Sequence, residues 1–529
     1  MKTCATRAAA WTLIAALGGA AGLQAQEPAP TGEGDYQVGT ALPPHEPDTE
    51  LVSMTLAQAI DRALEMNLDI QTARLSPRMQ AFVLRQAQAA FAPTFNATYG
   101  YQNRTNRSTS QLDGGEVTTS QSHTLNTSLS QAVPWYGGNL SLEFRNSRQS
   151  TDNRFTLLNP SYRSEVTLDY TQPLLAGLKT DNQRAALETQ EIQGDITEIQ
   201  LESRIANITE QVREAYWNLR AAIEEIEIQR RNLEQARQLL EDNQVRVRLG
   251  TMARIQVVQA EAQVASAEQA LLNAEIQWRN QELALKSLLI GGADDPLLYQ
   301  TINPVDLPVV QDQEVDIQAA IERALSERTD MRQLREERRI AEIELEVTED
   351  SRLPELNLNA SYSLLGVGGT EYDRSGLGGE PVLVRRGGYM DGLESIAGFD
   401  TPTWNIGLSF SYPLGMRSAK ANLERARLAM EQRDLAIRAQ ELAVVTEVTN
   451  AGLAVRDTRL QLEAARRSRE LAEQSAAAEV TRFNAGVATN FEVVAAQDQL
   501  TQARLAELRA IIDHVNAIAE FERVQRVGR

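Results

Sequence analysis

Thiol chemistry is nearly absent from this chain, since Cys4 is the sole cysteine in 529 residues. It precedes the apolar run of an N-terminal leader, so it cannot be the lipid-bearing residue that follows a lipoprotein leader. Once the leader is gone, neither a disulfide nor a cysteine metal site is expected. Histidine is equally scarce: His45, His123 and His514 fall in a tail, a loop and a helical stretch, with no spacing that assembles a zinc site. Beyond residue 25 no apolar run approaches the roughly 18 residues of a membrane-spanning helix. An exported chain of this kind is either soluble or crosses a membrane as β-strands.

Positive charge is also in deficit. Lys and Arg number 52 against 72 Asp and Glu, giving −20, and removing Lys2 and Arg7 with residues 1–25 takes this to −22. Such acidity argues against a nucleic-acid partner, which calls for a basic stripe, and fits a solvated interior that favours cations. No phosphate-cradling loop occurs, because Gly366-Val-Gly-Gly lacks the Lys-Ser/Thr ending and opens no helix. The carboxylates alternate with Arg and Gln as solvated coiled-coil faces do. The chain is therefore expected to be no enzyme and to carry no cofactor or metal.

What is present begins with a leader. Residues 1–25 have a basic start (Lys2, Arg7), an apolar run and small residues up to Leu23-Gln24-Ala25, the pattern of a secretory signal peptide. Residues 26–50, rich in Pro, Gly, Asp and Glu with nothing to bury, are expected to form a flexible tail. Two copies of one unit follow, 51–290 and 316–529, joined by a linker at 291–315 that contains Pro296, Pro304 and Pro308. Leu56, Ile60, Ala63 and Leu64 share one helical face, and Ile317–Leu325 repeats the pattern at a constant offset (321 − 60 = 261).

A second helix in each copy, about 77–91 and 331–350, ends at Pro93 or Pro354, after which helical spacing gives way to alternation. Phe95, Ala97, Tyr99 and Tyr101 alternate with Asn96, Thr98, Gly100 and Gln102, and Leu356, Leu358, Ala360 and Tyr362 with Asn357, Asn359 and Ser361. Further strands are expected at Leu125–Leu129, Leu140–Phe144, Val166–Tyr170 and Ile406–Tyr412. Two strands end alike, in Thr-Gln-Pro-Leu (171–174) and Ser-Tyr-Pro-Leu (411–414). A soluble sandwich alternates similarly. An export leader, aromatic-flanked strands and polar Gly/Ser/Thr-rich connections at 102–122 and 364–402 tilt the reading toward a transmembrane barrel. Trp135, Tyr136, Tyr170, Trp404 and Tyr412 are candidates for the membrane interface. Residues 128–142 look like an added hairpin; four strands per chain is the expected number, and six the alternative.

Residues 181–249 and 416–485 contain no proline, and each could extend roughly 100 Å as a helix. Ile226, Leu233, Leu240 and Val247 recur at sevens, the spacing of coiled-coil packing. The returning helices, about 252–290 and 488–525, are shorter, so each outgoing helix either passes its partner or is interrupted. Pairing Gly250 with Gly486 (486 − 250 = 236) also pairs Val257 with Val493, Ala260 with Ala496 and Ala267 with Ala503. Each glycine suits the left-handed residue that ends a helix. Thr489 with Glu492 forms a capping box for the next helix, a part Gln256 could play for Ala253.

These openings, the strands ending in Pro-Leu and the twin Gly-x-x-x-x-x-x-Val-x-x-Ala tips together resemble the TolC-like outer-membrane efflux family over residues 52–526. The resemblance implies an α+β membrane protein: a homotrimeric outer-membrane β-barrel continuous with a long periplasmic α-helical coiled-coil barrel, built from two internal repeats. It further implies residence in a Gram-negative outer membrane, in contact with its lipid. The duct would dock on a periplasmic adaptor and an inner-membrane pump of RND, ABC or MFS type, passing substrates of efflux or type I secretion unchanged. The family's periplasmic gate lies at the hairpin tips, where acidic residues form rings. By position Glu492 takes the first acidic place, Ala495 stands at the next, and Gln256 stands where an aspartate is usual, with Arg254 and Asn490 as candidates for polar links between hairpins. Glu492 suits a capping role alone as well as a gate ring.

Bottom-up, four strands cannot close a channel, since a barrel needs at least about eight, and three chains of four give twelve. A periplasmic coiled-coil adaptor or scaffold is the alternative function. It would leave the alternating strands from Phe95 and Ile406 without a purpose.

Overall fold

The computed structural model describes residues 40–44, 49–107, 115–153, 155–308, 315–373 and 380–525; the leader and most of the tail lie outside the described residues. Each repeat opens with two short helices, α1 (Leu56–Met66) and α2 (Leu68–Gln88) in the first, α5 (Ile317–Glu327) and α6 (Thr329–Asp350) in the second. Thr55 caps α1 in a complete capping box with Gln58, and Asn67 both ends α1 and caps α2 through the amides of Asp69 and Ile70. Pro93 and Pro354 do precede strands: β2 (Thr94–Arg107) in the first repeat and β7 (Glu355–Asp373) in the second.

Between β2 and the first long helix the chain adds β3 (Val117–Ala132), β4 (Asn139–Thr151) and β5 (Leu158–Pro173); the second repeat adds β8 (Val382–Arg385), α7 (Tyr389–Ala397) and β9 (Pro402–Ser411). All join one antiparallel sheet in the order β2-β3-β4-β5-β7-β9, with short β8 on the far end of β7. The sheet thus has six long strands, and the expected number of four is overturned. The repeat offset locates the excess, being 261 at Pro93/Pro354 but 240 at Pro173/Pro413. The β3–β4 hairpin is therefore an insertion in the first repeat, and its turn carries the exposed Trp135 and Tyr136. Where exposed loops were expected at 102–122 and 364–402, the described parts hold strand ends, β8 and α7, while 108–114 and 374–379 lie outside the described residues. Thr118, Thr119 and Ser120 of β3 and Gly366, Gly368 and Gly369 of β7 lie in strands paired through the backbone, which a side-chain pattern reports poorly.

Cross-strand register gives the sheet two unlike faces. One continuous row runs Phe95, Leu129, Leu142, Leu168, Tyr362, Trp404, and the next runs Ala97, Thr127, Phe144, Val166, Leu364, Pro402. The opposite face carries Asn96, Ser128, Glu143, Thr167, Ser363 and Thr403 in one register row, with Arg145, Glu165 and Asp169 nearby. Helix α7 lies on the apolar face near the outer end, where Gly366 and Gly368 admit its backbone; a Cβ on Gly368 would fall 2.2 Å from the Gly388 carbonyl oxygen.

The long helices are uninterrupted: α3 (Asn182–Arg248) returns as α4 (Ile255–Leu289), and α8 (Arg417–Asn484) as α9 (Asn490–Gln525). Length is reconciled by stacking. Near the sheet α3 packs on α2 and α6, and nearer the tip on α4 and α9; α8 is likewise flanked by α6 and then α9. Ile192 and Ile196 meet Ile343 in the upper half, while Leu233 and Ala236 meet Ala267 in the lower. The result is a single layer of four helical columns.

At mid-height sits the main core, in which Ile208, Val212, Tyr216, Leu219 and Ile223 of α3 meet Ala63, Leu285, Leu289 and Ile302. Two departures from expectation appear here. The linker at 291–315 contains a buried strand, β6 (Thr301–Pro304), paired in parallel with β1 (Leu51–Met54). Nor is the tail free of burial, because Ala41 is buried in this core and its N–H donates to Glu224 Oε1 at 3.2 Å. A single buried carboxylate on α3 supplies that anchor. Glu224 also pairs with buried Arg220 at 2.5 Å, whose other nitrogen reaches the Pro304 carbonyl at 2.9 Å.

Glu224→Ala strands the Arg220 guanidinium in the core and is expected to cost about 3–5 kcal/mol. The double change Arg220→Met with Glu224→Leu should recover most of it, as read from denaturant unfolding of the helical signal.

A candidate gate at the hairpin tips

Both tips are built by the same backbone device. At the first, Gly250 N–H donates to the Val247 carbonyl (3.0 Å) and Thr251 N–H to that of Arg246 (2.9 Å); at the second, Gly486 donates to Phe483 and Val487 to Arg482, both at 3.0 Å. This is the Schellman closure, and it requires a left-handed residue at its centre. Gly250 and Gly486 have φ of 76° and 78°.

The restarts differ. Helix α9 begins in the expected box, with Glu492 Oε2 accepting from the Thr489 N–H (2.6 Å) and hydroxyl (2.9 Å), and the Glu492 N–H donating back to Thr489 Oγ1 at 3.4 Å. The Thr489 amide, followed by its hydroxyl, holds the Glu492 carboxyl below the usual carboxylate range. Helix α4 has no side-chain cap. Half-buried Gln256 uses its backbone N–H toward the Ala253 carbonyl (3.1 Å), so the capping role considered for its side chain is not borne out. Arg254 sits at the start of α4 with its side chain exposed.

Asn490 does bridge hairpins. Its Oδ1 accepts from Asn243 Nδ2 at 2.9 Å, with both residues buried, and so joins α3 of one hairpin to α9 of the other. Three partners were not anticipated from sequence. Arg246 donates to the Phe483 carbonyl (3.2 Å) and Asn484 Oδ1 (2.9 Å), with its guanidinium 4.3 Å from the Phe483 ring centre. Gln263 Nε2 reaches Asp498 Oδ1 at 2.8 Å. Leu239, Phe483 and Val493 pack beneath these bonds. A signal for Asn243 was available, since Gln229, Ala236 and Asn243 recur at sevens beside the leucine stripe and all are buried. A lone buried Asn in a coiled-coil seam fixes register at some cost in stability.

Chemically the tips hold neutral amides, one cation over an aromatic ring and one exposed carboxylate. Such a set can latch helices and bias ions.

The family model described as outer membrane efflux protein matches residues 138–291 and 320–520. No curated protein matches the sequence. Among solved structures, the chain is similar to the CmeC outer membrane channel of Campylobacter jejuni (16% identity, TM-score 0.64, 89% of this chain and 86% of that one). It is also similar to the outer membrane protein VceC of Vibrio cholerae (16%, 0.62, 89% and 95%) and to the open state of the Neisseria gonorrhoeae MtrE outer membrane channel (18%, 0.58, 89% and 88%). At these identities the likeness shows the fold.

Asn490→Ala leaves the buried Asn243 amide without its acceptor, an expected loss of about 1–3 kcal/mol, to be read as faster amide exchange at both tips. Because the Glu492 pKa is lowered, the cap's contribution is complete above about pH 4.3 and is lost as pH falls through the lowered value. Exchange at residues 490–494, corrected for intrinsic rate, should therefore lose no protection between pH 8 and pH 5.

Proposed function

The chain belongs to the outer membrane efflux protein family, and from that membership we propose that it is the outer-membrane exit duct of a tripartite efflux or type I secretion assembly. It acts as a homotrimer and conducts substrates passively from an inner-membrane pump and a periplasmic adaptor. The observation that carries this is the pair of unpartnered edges. Helix α8 exposes Leu428, Leu435 and Leu442, then Leu453, Leu460 and Leu471, largely at heptad spacing, with no partner upon them among the described residues. On the opposite flank α2 exposes Leu68, Leu75, Met79 and Phe82, and α4 exposes Leu272, Ile276 and Leu283. Two unlike apolar flanks on one chain form a head-to-tail interface that closes a ring.

The sheet's apolar face, bounded by aromatics, suits lipid contact and its polar face a wet lumen. An adaptor has no use for six such strands, which sets that alternative aside.

The internal repeat extends the gate to the trimer. If one hairpin follows the next around the ring, the Asn243–Asn490 contact recurs between copies at positions shifted by 236, which are Glu479 and Arg254. Glu479 fits, because its Oε2 is buried and lacks a hydrogen-bond partner while Oε1 holds Arg482 at 2.7 Å. Arg254 of the next copy is the cation it awaits. In this gate a neutral amide pair within each chain alternates with an ion pair between chains, and Glu492 supplies three carboxylates near the opening.

Single-channel conductance in planar bilayers tests both levels. Wild-type trimers should give discrete cation-selective currents, and Glu492→Ala should weaken the selectivity or raise conductance. Arg254→Glu should raise basal conductance several-fold, and combination with Glu479→Arg should restore it. Verified, membrane-inserted protein that gives no current would sink the duct.

A further inference from the structure

We propose that three copies close an eighteen-stranded barrel in which β2 of one copy pairs antiparallel with β9 of the next at a stagger of six or eight residues, a closure that rests on the trimeric duct above. Direction comes first. Every neighbouring pair in β2-β3-β4-β5-β7-β9 is antiparallel, so the two edge strands of one copy run oppositely. Placing the β9 of one copy beside the β2 of the next continues the alternation. Six strands closing on themselves fall below the about eight that the smallest barrels use, and an open edge has no hydrogen-bonding partner in lipid.

Stagger follows from the register. Along the row through Phe95 and Trp404, the end nearest the helices lies one residue away on β2, at Thr94, and seven away on β9, at Ser411. The strand bases thus step back by six residues (7 − 1) over the five intervals of the sheet. With about 3.3 Å per residue and about 4.8 Å between strands, this is a tilt of about 40°, within the range that closed barrels adopt. The next interval adds up to two residues. The total must be even, since apolar must meet apolar across the seam. Thr98 then faces Gly407 of the next copy for a stagger of six, or Ser409 for eight.

Width agrees independently. Six strands at that tilt span an arc of about 38 Å, and four helical columns at about 9–10 Å span about 36–40 Å. Four strands would span only about 25 Å and force the membrane section to narrow. The β3–β4 insertion makes the sheet as wide as the helical layer that feeds it. Three copies give a barrel about 36 Å across between backbones, against about 24 Å for twelve strands. The membrane section is then no bottleneck, and cargo size is limited at the tips.

The test uses full-length protein with Cys4 replaced by Ser, carrying Thr98→Cys together with Gly407→Cys, Ser409→Cys or Thr403→Cys. Oxidation in outer membranes should produce covalent dimers and trimers with one of the first two partners and none with the third. Cross-linking through Thr403 instead, or through none of the three in trimers that still conduct, overturns the barrel while leaving the duct standing. A wild-type chain that forms neither trimer nor channel removes both. Polymer partitioning from the barrel side supplies a measurement free of substitutions: polymers about 20 Å across should enter an eighteen-stranded lumen. Their exclusion, with entry only of those about half that size, overturns it.

Discussion

A strand at the edge of a sheet leaves a row of N–H and C=O groups without partners, and inside a membrane only another strand satisfies them. Nearly everything above the main core of this chain answers to that constraint. Strands β2 and β9 are exposed along their whole length on both faces, and in the proposed duct a second copy finishes the sheet. The helical layer is likewise open, its outer flanks carrying exposed leucines, those of α8 largely at heptad spacing, with nothing on them among the described residues. A chain with two unfinished edges of different kinds, both at the same ends of its layer, has the shape the proposed ring requires of each segment.

Duplication supplies the segment with its regularity, and asymmetry between the copies supplies its specificity. The two tips close by identical backbone bonds around Gly250 and Gly486, yet the side chains that hold them differ: amides and an arginine over Phe483 within the chain, and an orphaned carboxylate oxygen on Glu479 at the corresponding free position. At mid-height the first copy is anchored by the Arg220–Glu224 pair. The second is tied by Arg328, which spans Asp330 and Glu447, both at 2.8 Å. Because the interiors of the two copies differ while their turns agree, the fold can keep one geometry at the tip and vary what locks it.

Much of this was legible in the residues. Proline-free stretches gave α3 and α8 to within two residues, Pro93 and Pro354 marked the entry to the sheet, and the glycines marked the tips, because each of these signals acts locally on the backbone. A stretch of each of the six long strands was readable from alternation, Leu125–Leu129 in β3 and Leu140–Phe144 in β4 among them; their full lengths and the choice of six over four were not, since alternation in polar, small residues such as those of β3 is weak. Nor were β1 and β6, four residues each, whose pairing spans some 250 positions. Of the site, the Thr489–Glu492 cap was readable from spacing three. Of Asn243 only the heptad place was readable; its partner, like those of Arg246 and Gln263, lies on the other hairpin and was not.

The inserted hairpin has a further meaning for how such a wall can change. Adding one strand would reverse the direction of every strand after it and leave the next long helix on the wrong side of the membrane. Adding a hairpin preserves both, and its turn falls back at the base, beside the start of α3. In the proposed barrel, lumen width can therefore change only in steps of two strands per chain, and one insertion within one repeat alters the whole circumference while leaving the helical columns, the tips and their locks in place.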